Sequence, residues 1–350
     1  MLKRLFGRFS KDLGIDLGTA NTLVYVKDQG IVINEPSVVA INNRTDQILA
    51  VGQEAKVMVG KTPSHITISR PMVDGVISDF EVTEKMLKYF IDKVHKESFA
   101  LVPRPRVVVA IPLDITEVEH KAVEDAVTSA GAREVLLIEQ PVAAAIGAGL
   151  QIQEATASMI VEIGGGTTEI AVISLGGVVT WKSLKLAGDK FNEAIIQYIR
   201  DKFNIILGDI TAERVKIEVG TAISSKEHLE ATARGRDVLT GLPKEVVITD
   251  QDIREALNKP LRIITDNIKA TIENTPPELV ADLYNRGMIL SGGGALLRGL
   301  DKLIEHETKI PVSVTNDPLT SVVRGTGVVL EDYDMLRQIL LPSTRDRALS

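Results

Sequence analysis

Short apolar runs alternate along the chain with stretches of helical period, and this alternation predicts an α/β fold. Several of the runs are apolar on both faces, which is typical of strands in a sheet that helices cover. The strands predicted in this way are Val38–Ile41, Arg106–Ile111, Val135–Ile138, Ser158–Ile163, Ile170–Ser174 and Gly287–Leu290.

Capping signals predict where several helices begin. Ser78–Glu81 and Thr116–Glu119 have the spacing of a capping box, and the second helix should stop at Gly131. Pro141 suits the first position of a helix, and Asp189 suits the cap of another.

One longer helical stretch contains a proline, and the end of the chain is polar. The stretch from Asp250 to Asn274 has a helical period but contains Pro260, so we expect a kinked helix or two helices. Residues 342–350 are polar and are predicted to form a flexible tail.

An internal repeat indicates how the chain is organised. Residues 15–26 (IDLGTANTLVYV) match residues 161–173 (VEIGGGTTEIAVI), with apolar, acidic, glycine and threonine positions in register. The offset, 161 − 15 = 146 residues, is far longer than the ~20–50-residue period of solenoid repeats. The two copies therefore indicate two homologous domains, each opening with a strand, a glycine turn and a second strand.

Composition excludes several classes of function. The 350 residues include 40 basic and 47 acidic side chains, so a net charge of −7 gives no general attraction for nucleic acid. Without cysteine, the chain cannot form disulfides, thiolate zinc sites or iron–sulfur clusters. No apolar run reaches the ~20 residues of a membrane-spanning helix, and no signal-peptide core is present, so we expect a cytoplasmic protein.

The first residues have the pattern of a short interfacial membrane anchor, with a disordered or core-packed start as the alternative. On a helix their apolar side chains share one face, and Lys3, Arg4, Arg8 and Lys11 flank it, which suits an anionic membrane surface. The apolar face consists of Leu2, Leu5, Phe6, Phe9 and Leu13.

The two repeated glycine turns suit phosphate. Glycine directly after a strand lets backbone N–H groups approach a ligand, and a threonine hydroxyl adds a donor. Asp16 and Glu162, near the ends of the two first strands, can together hold a hydrated Mg²⁺. Neither turn is a Walker loop or a dinucleotide fingerprint. A third glycine run, residues 292–294, suits a flat base or a phosphate, and a plain strand-to-helix turn is its alternative.

These motifs follow one another in the order found in the superfamily of actin, heat-shock chaperones and sugar kinases, which they resemble. Their amino-acid sequences resemble those of the MreB family of bacterial actin homologues. The resemblance extends over residues 12–340. It implies an actin-like ATPase fold, with two duplicated ribonuclease-H-like domains and a nucleotide in the cleft between them. The segments that carry it are IDLGTANT (15–22), NEPSVVAI (34–41), IEQPVAAAIGAG (138–149), IGGGTTEIAVIS (163–174), TAERVKIEVG (211–220), SGGGALLRGL (291–300) and VRGTG (323–327).

Domain boundaries follow from the repeat and the resemblance together. Each domain is expected to carry a small subdomain. The expected parts are a membrane-binding segment at 1–10, domain I at 11–150 and 320–341 with a small subdomain at about 34–74, domain II at 151–319 with a small subdomain at about 187–248, and the tail at 342–350.

The resemblance implies ATP or ADP and Mg²⁺ as cofactors, and it assigns residues to them. Asp16 and Glu162 would hold Mg²⁺ through water. The phosphates would lie on Gly18, Thr19, Ala20 and Asn21 and on Gly164, Gly165, Gly166 and Thr167. The nucleoside would lie on Glu213, Arg214, Val215 and Lys216 and on Gly292, Gly293, Gly294 and Ala295.

Two positions depart from the family pattern. The family usually has Asp where this chain has Glu162, and a glutamate where it has Gln140. A neutral amide is not a general base, but phosphoryl transfer mainly needs a positioned water. We therefore expect slow hydrolysis, with Gln140 and Thr167 orienting the water. Alternation along the preceding strand places Glu139 on the opposite side from Gln140.

The function implied by the resemblance is ATP-dependent assembly into filaments that organise cell-wall synthesis and maintain rod shape. The expected partners are further copies in paired protofilaments, the inner face of the cytoplasmic membrane and membrane proteins of the cell-wall elongation machinery, and not nucleic acid. Phe99 and Leu101, in SFALVPRP at 98–105, suit membrane insertion, and packing under a loop is the alternative. The rival functions are a plasmid-partitioning filament protein, a chaperone-type ATPase and a sugar or acetate kinase.

Overall fold

The computed structural model describes residues 10–96, 104–224 and 228–342. The chain divides into two compact units, each with its own hydrophobic core. The first unit comprises residues 1–155, 173–178 and 319–350, and the second comprises 156–172 and 179–318.

Strands occur where the apolar runs predict them. The predicted bounds are confirmed for Arg106–Ile111 and Ser158–Ile163, and the other four strands shift by one or two residues at an end. In chain order the strands are β1 (Leu13–Leu17), β2 (Asn21–Val26), β3 (Gly30–Pro36), β4 (Val39–Asn42), β5 (Gln47–Val51), β6 (Ile66–Ser69), β7 (Met72–Val73), β8 (Val76–Ile77), β9 (Arg106–Ile111), β10 (Glu134–Glu139), β11 (Ser158–Ile163), β12 (Thr168–Ser174), β13 (Gly177–Leu184), β14 (Ile205–Ile206), β15 (Glu230–Asp237), β16 (Pro243–Thr249), β17 (Met288–Ser291) and β18 (Val312–Val314).

Helices alternate with these strands, as an α/β fold requires. In chain order they are α1 (Gln53–Lys56), α2 (Phe80–His95), α3 (Glu117–Ser129), α4 (Gln140–Gly147), α5 (Gly188–Phe203), α6 (Asp209–Val219), α7 (Asp250–Glu273), α8 (Pro277–Arg286), α9 (Leu300–Thr308), α10 (Ser321–Glu331) and α11 (Tyr333–Leu336). The stretch with Pro260 is one helix, α7, which Thr249 and Asp252 begin with a capping box.

Of the four predicted helix starts, one is confirmed and three are wrong. Pro141 is the second residue of α4 and not the first, because that helix begins at Gln140. Thr116 caps α3 with the full capping box. The helix predicted to begin at Ser78 is capped by Asp79, whose carboxylate accepts the Val82 N–H, because aspartate caps as well as serine does. Asp189 is not a cap, because α5 already begins at Gly188.

The central sheet of the first unit has the order β10-β9-β1-β2-β3. The strands β10, β9 and β1 are parallel, and β2 and β3 continue the sheet antiparallel to their neighbours. Since parallel strands end at the same edge, the last residues of β1, β9 and β10 are brought together. Helices α4 and α10 pack on this sheet, and a core of side chains from the sheet, α2 and α3 lies within the unit.

The second unit repeats this order as β18-β17-β11-β12-β13. Here β11, β17 and β18 are parallel, and β11 occupies the place that β1 has in the first unit. A smaller three-stranded sheet accompanies each central sheet: β5-β4-β6 within residues 39–69 and β14-β15-β16 within residues 205–249. The duplicated strand order is the structural counterpart of the sequence repeat.

Candidate functional site

The first glycine turn joins β1 to β2, and hydrogen bonds to its carbonyl groups hold it in the first unit. The Gly18 N–H donates to the Asn21 carbonyl oxygen at 3.1 Å, which closes the turn. Ser37, directly after β3, donates its N–H to the Ala20 carbonyl at 3.0 Å and its hydroxyl to the Gly18 carbonyl at 2.6 Å. Two of the turn's carbonyl groups therefore face Ser37.

These bonds decide where the N–H groups of the turn point. In a planar trans peptide, the N–H points opposite to the carbonyl that precedes it, and no cis peptide occurs among the described residues. The N–H groups of Thr19 and Asn21 are therefore directed away from Ser37. The Thr19 hydroxyl accepts the Gly75 N–H at 2.9 Å and keeps its own proton for another acceptor. The free side of the turn thus carries the donors that a phosphate needs.

The second glycine turn, between β11 and β12, has the same construction. The Gly164 N–H donates to the Thr167 carbonyl oxygen at 2.9 Å. The first two N–H groups of α5 donate to the carbonyl oxygens of Gly164 and Gly165, at 3.1 and 2.8 Å. By the same peptide geometry, the N–H groups of Gly165 and Gly166 point away from α5. Each unit therefore has one turn of the phosphate-binding type.

The triple-glycine run packs directly beside Glu162. The strands β11 and β17 are parallel and pair Glu162 with Ser291, so the next residue, Gly292, begins its turn at the carboxyl end of both strands. Gly292 has a φ of 80°, and a Cβ on it would overlap the Ile163 carbonyl oxygen and lie 2.6 Å from Oε1 of Glu162. Only glycine allows this close approach.

Asp16 and Gln140 lie at the same edge of the first central sheet. Asp16 pairs with Ala110, and Ala110 pairs with Ile138, two residues before Gln140. Two strand spacings, about 10 Å, separate the backbones of Asp16 and Ile138, and Gln140 lies two residues beyond Ile138. The strand β10 ends at Glu139 and α4 begins at Gln140, so strand alternation does not extend to Gln140, and the predicted opposite placement of these two side chains stays a prediction. Burial raises the pKa of the Glu139 carboxyl.

Glu213 and Lys216 lie three residues apart on α6. Lys216 contacts Gly188, the residue that holds the second glycine turn. Its Nζ donates to the Gly188 carbonyl oxygen at 3.0 Å, and the Gly188 N–H holds the Gly164 carbonyl. Both side chains are half-buried. The structure therefore brings Lys216, the second turn, Glu162 and the triple-glycine run together within the second unit.

The two residues between them on α6 have other contacts. The Arg214 guanidinium donates to Glu218 at 2.6 Å and to the Thr232 carbonyl oxygen at 2.7 Å. Val215 is fully buried in the core of the second unit. The predicted roles of Arg214 and Val215 at a nucleotide stay predictions.

Three supporting residues were not predicted. Ser37, Gly75 and Gly188 hold the two glycine turns in place, although none belongs to a turn. Ser37 lies within the motif NEPSVVAI, so its segment was recognisable while its role was not. Gly75 and Gly188 act through backbone N–H groups, which leave no signal in the sequence.

The predicted membrane residues lie outside the described residues. These are Leu2, Leu5, Phe6, Phe9, Phe99 and Leu101. Among the residues that the structure does describe, no helix is both long enough and apolar enough to span a membrane.

The carboxylates present fit a magnesium ion. Asp16 is half-buried at the end of β1, and burial raises its pKa to about 7, a cost that a neighbouring cation offsets. Glu162 is buried, with 4% of its surface exposed. Within 10–96, 104–224 and 228–342, no three or more histidine, aspartate or glutamate residues gather into a metal site. One or two carboxylates with water and phosphate oxygens is the arrangement that Mg²⁺ takes.

Two units with the same strand order, each with a phosphate-type turn after its first central strand, define an actin-like nucleotide-binding fold. The structure is similar to MreB5 of Spiroplasma citri, solved with AMPPNP and with ADP, at a TM-score of 0.89 and 38% identity over 94% of this chain and 98% of that one. MamK, solved as a double helical filament, shares the fold at a TM-score of 0.78 and 22% identity over 92% of this chain and 99% of that one.

The particular family follows from the sequence comparisons. The family described as MreB/Mbl protein matches residues 10–338. The chain is 54% identical over 339 residues to the cell shape-determining protein MreB of Escherichia coli (strain K12), covering 96% of this chain and 97% of that protein. This chain belongs to the MreB/Mbl family, so the resemblance drawn from its motifs is confirmed.

Proposed function

We propose that this chain is a cytoskeletal ATPase that polymerises with ATP into membrane-associated filaments and maintains rod shape by organising cell-wall synthesis. The observation that carries the proposal is the matched pair of glycine turns, one in each unit, in a chain that belongs to the MreB/Mbl family. Relatives in this family are cell shape-determining proteins, and MreB5 of Spiroplasma citri has been solved with AMPPNP and ADP.

In the proposed nucleotide binding, the glycine turn of each unit serves phosphate groups. The outward N–H groups of Thr19, Asn21, Gly165 and Gly166 supply donors without cost in side-chain entropy. Glu213 and Lys216 on α6 and the triple-glycine run serve the ribose and base. The residue ranges given for domains I and II and their subdomains form part of the same proposal.

Asp16 in the first unit and Glu162 in the second are each proposed to contact Mg²⁺ through water. When bound, the ion neutralises phosphate charge and polarises the phosphoryl group. Glu162 is one methylene longer than the aspartate usual in the family, so its water shell should differ. The close packing of Gly292 against Glu162 fixes this longer side chain, which supports its use at the site.

Hydrolysis should be slow, because Gln140 cannot take a proton from the attacking water. Gln140 starts α4 at the same sheet edge as Asp16, and Thr167 closes the second turn with its side chain buried. An amide that donates and accepts hydrogen bonds, together with a hydroxyl, can orient a water for attack.

Phosphate-release assays test this assignment. Replacing Gln140→Ala removes the amide, and we expect hydrolysis at saturating ATP to fall by roughly tenfold or more. Gln151→Ala, an exposed glutamine of the same unit, is the matched control and should hydrolyse ATP as the wild type does. Wild-type hydrolysis in Gln140→Ala would remove Gln140 from the site.

Filaments form when head-to-tail contacts between copies do not close into a ring. MamK, which shares the fold, has been solved as a double helical filament. Paired protofilaments are the form that we propose here, with energy from hydrolysis used for disassembly. Family membership favours this function over the plasmid-partitioning, chaperone and kinase alternatives.

Membrane association is proposed through residues 1–10 and the segment with Phe99 and Leu101. The described residues that flank these segments are hydrogen-bonded to one another, so both segments start from one part of the first unit. The bonds join Ser10 Oγ to the Arg104 N–H at 2.8 Å, the Lys11 N–H to His95 Nε2 at 3.2 Å, and Asp12 Oδ1 to the Arg106 N–H at 2.8 Å.

Two weak anchors repeated along a polymer bind a surface far more strongly than one anchor does. Lys3, Arg4, Arg8 and Lys11 suit the anionic cytoplasmic leaflet. The proposed location is therefore the cytoplasm, peripherally on the cytoplasmic membrane, where membrane proteins of the elongation machinery would be the partners.

A further inference from the structure

Arg298 joins the end of α6 to the segment that follows the triple-glycine run. Its Nη1 donates to the carbonyl oxygens of Ile217 and Gly220, at 3.1 and 3.2 Å. Since α6 ends at Val219, the guanidinium caps the C-terminal carbonyl groups of this helix. A positive charge is favoured there, because the carbonyl groups form the negative end of the helix dipole.

The backbone of Arg298 adds a second connection. Its carbonyl oxygen accepts the Ala222 N–H at 2.8 Å, and Thr221 pairs with Arg298 as a parallel β-bridge. Gly220 packs so closely here that a Cβ on it would lie 3.0 Å from Cδ1 of Leu297. One residue thus holds the loop after α6 and the loop after the triple-glycine run through both its side chain and its backbone.

The two elements that Arg298 connects are those proposed to contact the nucleoside. Glu213 and Lys216 lie on α6, and the Gly292–Ala295 turn ends two residues before Leu297. The far side of this turn is fixed by the packing of Gly292 and Gly294 against Ile163. Arg298 adds a direct link between the end of α6 and the segment that follows the turn.

We propose that Arg298 is a positioning residue for the nucleoside, which fixes the spacing between α6 and the Gly292–Ala295 turn and thereby sets the affinity for ATP and ADP. The inference rests on the proposed nucleotide binding. Its physical basis is preorganisation: groups that already stand at the right spacing lose less free energy when a ligand binds. Arg298 itself need not touch the nucleotide.

A positioning role for Arg298 predicts different effects on the binding of the nucleoside and on the binding of the phosphates. The phosphate turns at residues 18–21 and 164–167 are held by Ser37 and by the first residues of α5. The hydrogen bonds of the Arg298 guanidinium go instead to the end of α6. Loss of the guanidinium should therefore weaken ligands that carry a nucleoside and spare a ligand made of phosphate alone. Lysine can still donate to the carbonyl groups but lacks the planar fork of arginine, so it should restore the function in part.

Calorimetric titration with ATP, ADP and tripolyphosphate, each with Mg²⁺, tests the proposal on the full chain. For Arg298→Ala we expect the Kd for ATP and ADP to rise about fivefold or more, with the Kd for tripolyphosphate unchanged. Arg298→Lys should fall between this variant and the wild type. Arg262→Ala is the matched control, since Arg262 is an exposed arginine of the same unit on α7, paired only loosely with Asp266 at 3.8 Å. It should bind all three ligands as the wild type does.

Two results would overturn the inference while leaving the proposed function intact. One is a wild-type Kd for ATP in Arg298→Ala, and the other is an equal loss of affinity for ATP and tripolyphosphate, which indicates general loosening of the unit. A wild-type chain that binds neither ATP nor tripolyphosphate overturns the proposed function, and the inference with it. If Arg298→Ala does not fold, as judged by circular dichroism, Arg298→Gln replaces it in the same titrations with the same expected split.

Discussion

Two neighbouring residues differ in charge: Glu139 can ionise, and Gln140 cannot. Gln140 is a neutral amide, and Glu139 is a half-buried carboxyl whose pKa burial raises. The sequence identifies the amide. It does not reveal that the strand stops between the two residues, because the start of α4 depends on how that helix packs on the sheet.

The raised pKa of Glu139 predicts a dependence of stability on pH. Above its ordinary pKa of 4.5, the folded chain keeps this proton longer than the unfolded chain does. Stability therefore falls as the pH rises from 4.5 through the folded-state pKa. Glu139→Gln removes this loss, so its melting temperature should exceed that of the wild type by about 2–3 °C at pH 7.5 and by little at pH 4.5.

Thermal unfolding at the two pH values makes this comparison. Glu54→Gln, an exposed glutamate on α1, is the control and should shift the melting temperature equally little at both. A Glu139→Gln variant that is less stable than the wild type at pH 7.5 would contradict the assignment of a destabilising buried charge.

Between elements, the crossing of α4 and α10 has no room for a side chain. A Cβ on Gly147 would overlap the Ser321 carbonyl oxygen, and one on Gly325 would overlap the Ala143 carbonyl oxygen. The two backbones touch because both positions are glycine. The crossing holds α4 against the sheet, and with it Gln140 at the first position of that helix.

Gly325→Ala should destabilise the chain by about 2–3 kcal/mol, because the new methyl group meets backbone that cannot rotate away. Urea unfolding measures the loss. Gly177→Ala is the matched control: no heavy atom lies within 4 Å of its added Cβ, and its φ is not positive, so the midpoint should barely move. Equal midpoints for Gly325→Ala and the wild type would show that the helices separate at no cost.

Element boundaries were predictable where one side chain decides them. Thr116 and Glu119 cap α3 within four residues of sequence, and the prediction is confirmed. The start of α5 was not predictable from Asp189, because the first N–H groups of that helix bind the carbonyl groups of the second glycine turn, more than twenty residues earlier. Contacts of that range leave no local pattern.

For the whole molecule, the repeat predicted two related α/β halves, and both central sheets have the same strand order. The glycine turns were predictable for the same reason. The side chains that hold the surrounding backbone were not predictable, because they act over long separations: Ser37 holds Gly18 across 19 residues, and Arg298 holds the end of α6 at Gly220 across 78 residues. The family was recognisable from its motifs. The hydrogen bonds that hold the carbonyl groups of the glycine turns, and so direct their N–H groups outward, are visible only in the structure.

The measurement that tests the central claim most directly is electron microscopy of the full chain with Mg²⁺ and ATP, with and without anionic vesicles, beside the chain without nucleotide. We predict filaments that require ATP and that lie on the vesicles when these are present. A chain that remains monomeric with ATP at every concentration, or that phosphorylates a small metabolite instead, would contradict the account.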